Sequence, residues 1–292
     1  MALAGFLATH NLPDSYALTA QKWFIPLADE LALHNNGASG PLMVGVNGCQ
    51  GSGKSTLCDF LAYYLTSHHQ QTVAVLSLDD FYLPRDERAL LATKVHPLLA
   101  TRGVPGTHDT ELLAQTLSAL QQHQPVTLPR FNKATDNPYP TEQWPVINTP
   151  VDTVLMEGWC WGAPAQDERE LAKPVNALED TEDPEGIWRR FVNTQLTVRY
   201  QSLFAQMNYW IMLKGPSFDH VYRWRCEQEH KLAARQQPER SQAIMNDVQI
   251  ARFIQHYQRL TEQCFTHLPA RCDRVFTLDT QRSITQVLKG KP

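Results

Sequence analysis

The run Gly48-Cys49-Gln50-Gly51-Ser52-Gly53-Lys54-Ser55 constrains this chain more than any other stretch. It fits G-x-x-x-x-G-K-[ST], a loop whose backbone N–H groups wrap a polyphosphate. The pattern needs a strand before it and a helix after it. Leu42-Met43-Val44-Gly45-Val46 is a short apolar run with β-branched residues and reads as a buried strand. From Lys54 to Tyr64, the residues Leu57, Phe60, Leu61 and Tyr64 share one helical face. A ligand-free glycine turn with a helix cap could share these letters, but the context favours the phosphate loop. Residues Gly48 to Ser55, with Thr56 next, then form the nucleotide cradle. Lys54 reaches the β/γ-phosphates, and the Ser55 hydroxyl binds Mg²⁺. ATP and Mg²⁺ are the expected cofactors.

At 292 residues the chain is long enough for one large α/β domain with a sizeable core. A net charge of −4 argues against a general nucleic-acid surface, but not against a local anion pocket. Cys49, Cys58, Cys160, Cys226, Cys264 and Cys272 show no C-x-x-C pair, so free thiols and no zinc site are expected. No apolar run approaches membrane-spanning length, and the N-terminus lacks a leader pattern. These features predict a soluble cytoplasmic protein and set no oligomeric state.

Residues 14–36 read as a helix with Asp14 at its cap and Asn35-Asn36-Gly37 at its end. Four more apolar runs follow the first strand: Thr72–Leu78, Val151–Met156, Tyr209–Leu213 and Arg274–Leu278. Helical patterns separate them at Arg85–Lys94, Thr110–Gln122, Ile187–Gln206, Ser217–Arg235 and Val248–His267, with Thr107 or Asp109 capping the second. Alternating strands and helices predict an α/β fold: a mostly parallel five-stranded sheet with helices on both faces. The core spans about 40–280 within a single domain, residues 85–150 shape the acceptor side, and 163–187 reads as a polar, acidic insertion or long excursion.

Ligands in such sheets sit beyond the carboxyl ends of the strands. The second strand ends at Asp79, the third at Glu157 and the fourth at Lys214, so two acids and a phosphate cradle converge. Phosphoryl transfer needs little more than positioning, Mg²⁺, an orienting base and positive charge. Asp79 is the candidate base and a candidate metal ligand, with turn-capping as its alternative. Glu157 is the second metal-site acid, with a strand-end ion pair as its alternative. Arg223 and Arg225 are either a lid over the phosphates or a solvated helix face. Asp80, Tyr82, Arg102, His108, Asp109 and Lys133, with Arg130 nearby, are candidates for an acceptor pocket that suits an anionic or polyhydroxylated small molecule.

Four stretches carry a family resemblance: Leu78-Asp79-Asp80-Phe81-Tyr82; His96-Pro97 with Arg102-Gly103-Val104-Pro105-Gly106-Thr107-His108-Asp109; Met156-Glu157-Gly158-Trp159; and Val221-Tyr222-Arg223-Trp224-Arg225. Together the chain resembles the glycerate kinases of the plant and fungal type, grouped with phosphoribulokinase, uridine kinase and bacterial pantothenate kinase. The resemblance runs from about residue 40 to about 265. It implies an ATP-dependent kinase acting on a small-molecule hydroxyl, most simply D-glycerate. It implies Asp79 as base, Glu157 as the E-G acid, Arg223 and Arg225 as lid, and the His108-Asp109 loop at the acceptor. Asn132 stands where that family pattern expects an acid, and the stretch 163–187 is foreign to it. A pantothenate-, nucleoside- or sugar-like acceptor, or a regulatory P-loop ATPase, is the competing expectation. A catalytically silent ATP-binding chain is disfavoured by the presence of Lys54, Ser55, Asp79 and Glu157 together.

Overall fold

Every residue of the strand Leu42–Gly48 (β1) is buried. That is the signature of a strand covered on both faces. The computed structural model describes residues 3–34, 40–235 and 245–290. In it β1 runs parallel to Thr153–Gly158 (β3) on one side and Tyr209–Lys214 (β4) on the other. Val73–Ser77 (β2) pairs parallel with β3, and Arg274–Leu278 (β5) pairs parallel with β4. These are the five parallel strands expected. A sixth, Ile284–Leu288 (β6), adds antiparallel to β5, giving the order β6-β5-β4-β1-β3-β2.

Alternation along β4 puts Trp210 and Leu213 on opposite faces of the sheet. On one face, the ring of Trp210 covers Gly45, where an added Cβ would come within 2.7 Å of the indole. On the other face, Leu213 is in register with Phe276 of β5 and Gly48 of β1. There Phe24 links Phe276 to Phe60 of the phosphate-loop helix Lys54–His69, at centroid distances of 6.0 and 5.9 Å.

The expected N-terminal helix exists as Ser15–Thr19, a π-helical turn Ala20–Phe24, and Ile25–His34. Asp14 makes no capping hydrogen bond with its side chain. The expected end at Asn35-Asn36-Gly37 lies outside the described residues. A further helix, Leu3–His10, precedes it. Among the described residues no helix is long and apolar enough to cross a membrane.

The segment 163–187 is folded rather than a bare excursion. It carries the helices Glu168–Leu171 and Ala177–Glu182. Glu179, fully buried, takes two bonds from Arg259 of the helix Asp247–His267, at 2.8 and 2.5 Å. The same guanidinium donates to the carbonyls of Glu170 and Lys173. Asp183 pairs with Arg189 at 3.0 Å and accepts from the backbone N–H of Trp188. These pairs span as many as 80 residues of sequence. Arg259→Leu leaves Glu179 buried and uncompensated, so it is expected to lower the unfolding free energy by about 3–5 kcal/mol. Urea denaturation measures this, and a loss below about 1 kcal/mol, the range of a surface pair, would contradict it.

Candidate active site

The phosphate loop leaves β1 at Gly48 and closes on itself through a bond from Ser52 N–H to the Cys49 carbonyl, 3.2 Å. Gly51 and Gly53 hold φ of +78° and +89°, a region in which a side chain is strained. The loop ends at the first turn of the helix Lys54–His69, where unpaired N–H groups and the helix dipole favour an anion. Gln50, Gly51, Lys54 and Ser55 line a cleft of about 480 Å³. Cys49 is buried, and burial pushes its thiol up to about 12, so it is inert. Thr56 faces a second cavity of about 400 Å³ on the far side of the loop, shared with Ser52, Gly53, Tyr16 and Arg282.

Glu157 is the hub of the cleft. It is 4% exposed. Its Oε1 accepts from Ser55 Oγ at 2.8 Å and from Ser77 Oγ at 3.0 Å. Lys54 Nζ lies 3.7 Å from Oε2, and that oxygen has no hydrogen-bond partner. Burial alone lowers the proton affinity of Lys54, but Glu157 and then Asp79 outweigh it and hold the ammonium charged. Ser77 is absent from the sequence-based candidates. Ser77 pairs with Glu157 in the parallel register, so both side chains share a face. Asp59, one turn after Ser55, also lines the cleft and was likewise unforeseen.

Asp79 sits in a one-turn 3-10 helix, Leu78–Phe81, that breaks β2. Its Oδ1 accepts from the Tyr82 hydroxyl at 2.7 Å, and its Oδ2 takes Lys133 Nζ at 2.6 Å. Burial raises this carboxyl, but Lys133 and then Lys54 override it and hold it well below the usual carboxylate range. Asp80 anchors the hairpin Phe131–Asn132/Asn137–Pro138: it accepts from Phe131 N–H at 3.1 Å and from Arg130 at 3.3 Å. Arg130 and Lys133 therefore line the same cleft as Asp79 and Asp80.

Several expected acceptor residues stand behind the cleft instead of lining it. Tyr82 is buried against Asp79 and stacks on His108 at 4.7 Å. His108 is buried, with Nδ1 2.7 Å from the Tyr200 hydroxyl. Asp109 caps the helix Thr110–Gln121 through Leu112 N–H. Arg102 grips Asp136 at 2.5 Å, beside Arg88 on the same carboxylate at 2.6 Å. None of these four, expected at the acceptor, lines the cleft, and His108 keeps one buried nitrogen, Nε2, without a partner. On the helix Phe218–Arg235, Arg225 lines the cleft, paired with Glu229 and lying 5.5 Å over the Phe253 ring. Arg223 is exposed and outside it.

No protein-family model matches the chain. It is 34% identical over 228 residues to the uncharacterized kinase mug58 of Schizosaccharomyces pombe, covering 74% of this chain and 78% of that protein. It is 29% identical over 283 residues to the chloroplastic D-glycerate 3-kinase of Arabidopsis thaliana, covering 91% of this chain but 59% of that protein. The D-glycerate 3-kinase structure from Cryptococcus neoformans matches with a TM-score of 0.74 at 25% identity, over 93% of this chain and 99% of that one.

Burial lowers the His108 imidazole from 6.5 to about 3, against a weaker opposing pull from Asp79. The unfolded chain then binds this proton from about pH 6.5 downward and the folded chain does not, so stability falls as pH drops through that window. His108 is expected to stay neutral at pH 5 in a histidine NMR titration; a midpoint near 6.5 would contradict the burial argument.

Proposed function

The chain belongs to the glycerate kinase family of P-loop kinases, and we propose that it transfers the γ-phosphoryl group of ATP to a hydroxyl of D-glycerate. It is an ATP-dependent small-molecule kinase. One observation carries the reading: the phosphate loop and a base-and-cation pair, Asp79 with Lys133, open into one cleft around Glu157.

In this reading the polyphosphate lies on the backbone of residues 50–53, with Lys54 against its outer phosphates. The nucleoside extends into the cavity beyond Thr56, beside Tyr16. Mg²⁺ arrives with ATP, and the residues present suit it. Ser55 Oγ and Glu157 offer hard oxygens, one of them buried and unpartnered. Among the described residues no group of three or more His, Cys, Asp or Glu is gathered for a metal. Mg²⁺ characteristically takes one or two protein oxygens and completes its shell with phosphate and water. Held by Ser55 and Glu157, such an ion would supply charge neutralisation for the phosphates.

Asp79, also a candidate metal ligand, lines the cleft together with the phosphate loop, and we assign it the acceptor hydroxyl's proton. The acceptor oxygen attacks the γ-phosphorus, the bond to the β-γ bridging oxygen breaks, and ADP leaves. Arg225 supplies positive charge over the transferring group. Arg130 and Lys133 face the acceptor, and their charge suits a carboxylate. A cytoplasmic location is part of the proposal; the Arabidopsis relative is chloroplastic.

ADP release is expected to require D-glycerate in a coupled assay against a panel that also holds pantothenate, uridine and simple sugars. Release with another acceptor instead would reassign the pocket. Lys54→Ala is expected to cut turnover by roughly 10²–10³-fold while the fold survives; turnover near wild type would sink the phosphate-loop assignment. Asp79→Asn should bind ATP normally and lose transfer by a factor of about 10²–10⁴.

A further inference from the structure

Lys133 occupies the group that has to accept a proton. Its Nζ lies 2.6 Å from Asp79 Oδ2, and its side chain is 59% exposed. The other Asp79 oxygen holds the Tyr82 hydroxyl. A carboxylate in a charge-assisted bond to an ammonium has little affinity for another proton. For Asp79 to act as a base, Lys133 must leave it.

The two ends of Lys133 differ in freedom. Its backbone belongs to a hairpin pinned at several points. Asp80 holds Phe131 and Arg130, and Asp136 at the far side is held by Arg88 and Arg102. The side chain is a flexible stem with a mobile charge, and among the described residues Asp79 alone pairs with it. Tyr82 is buried and stacked on His108, so its grip on Asp79 is fixed. The movable contact is therefore the Lys133 ammonium alone. Nucleotide phosphates do not offer an obvious alternative partner, because Lys54 and the loop N–H groups already serve them. An anionic group on the acceptor, entering the cleft beside Arg130, does.

We propose that Lys133 is a latch on Asp79, and that the carboxylate of an anionic hydroxy-acid acceptor draws it away and frees the base. This deepens the proposed function and rests on Asp79 being the base. The balance is simple. Lys133 keeps its proton and exchanges one carboxylate for another. The acceptor hydroxyl gives its proton to Asp79, its oxygen bonds to phosphorus, and ADP departs with the bridging oxygen. With the latch closed, a water in the acceptor site meets a masked base, so idle ATP hydrolysis is suppressed. A neutral polyol of similar shape leaves the latch closed and is a poor acceptor.

The test compares wild type, Lys133→Met, Lys133→Arg and the double variant Lys133→Met with Asp79→Asn. Acceptor-free ATP hydrolysis is measured first, then turnover with D-glycerate and with glycerol, its neutral analogue. The Met variant is expected to hydrolyse ATP without acceptor about tenfold faster than wild type. The Arg variant keeps the cation and should not. Adding Asp79→Asn should abolish the gain. The kcat ratio of D-glycerate to glycerol should fall about tenfold in the Met variant. Unchanged acceptor-free hydrolysis in the Met variant, with only a raised KM for D-glycerate, overturns the latch and leaves Lys133 as a carboxylate holder. A gain that survives Asp79→Asn also overturns it. If wild type does not phosphorylate D-glycerate, the substrate reading fails, while the acceptor-free comparison still decides the latch.

Discussion

Glu157 is a carboxylate with almost no water around it, and three parts of the chain meet on it. An ionised group in such surroundings is costly unless it is paired and hydrogen-bonded. Ser77 comes from the neighbouring strand in register, Ser55 and Lys54 from the start of the phosphate-loop helix. The loop, the end of β2 and the end of β3 are thereby held in one arrangement. Because β1 lies between β3 and β4, this meeting point sits in the crevice where the sheet changes direction. The cleft is a consequence of satisfying that one carboxylate.

The acceptor side is organised differently. It is a short hairpin carried by charges and not by a strand of the main sheet. Asp80 ties its base and Asp136 ties its turn, so Arg130 and Lys133 are presented from a fixed backbone. Arg102, His108, Asp109 and Tyr82 do not reach the cleft. They hold the hairpin, the helix cap and Asp79 in place. A site built this way separates positioning, done by buried groups, from contact, done by the half-buried Arg130, the exposed Lys133 and a carboxylate.

Much of this was legible in the sequence, and unevenly so. The phosphate loop declares itself because its backbone geometry demands particular residues locally. The five parallel strands declare themselves as short apolar runs. β6 does not: Ile284-Thr-Gln-Val-Leu288 is a half-exposed edge strand with a single buried neighbour, and such a run has no distinctive pattern. The stretch 163–187 looked like an excursion because its residues are acidic and polar. Its order comes from Arg259, about 80 residues away, and local composition holds no trace of that. His108 and Asp109 sit in a loop whose residues look chemical; only the fold reveals that Tyr200 and Leu112 already engage them.

In the proposed function this cleft carries a phosphoryl group from ATP to an acceptor hydroxyl, and not to water. Phosphorus NMR of one sample containing the protein, Mg²⁺, ATP and D-glycerate tests it most directly. A new phosphomonoester resonance that grows in step with ADP, and is absent with Asp79→Asn, is the expected result. Growth of inorganic phosphate alone, at a rate indifferent to D-glycerate, would contradict the account.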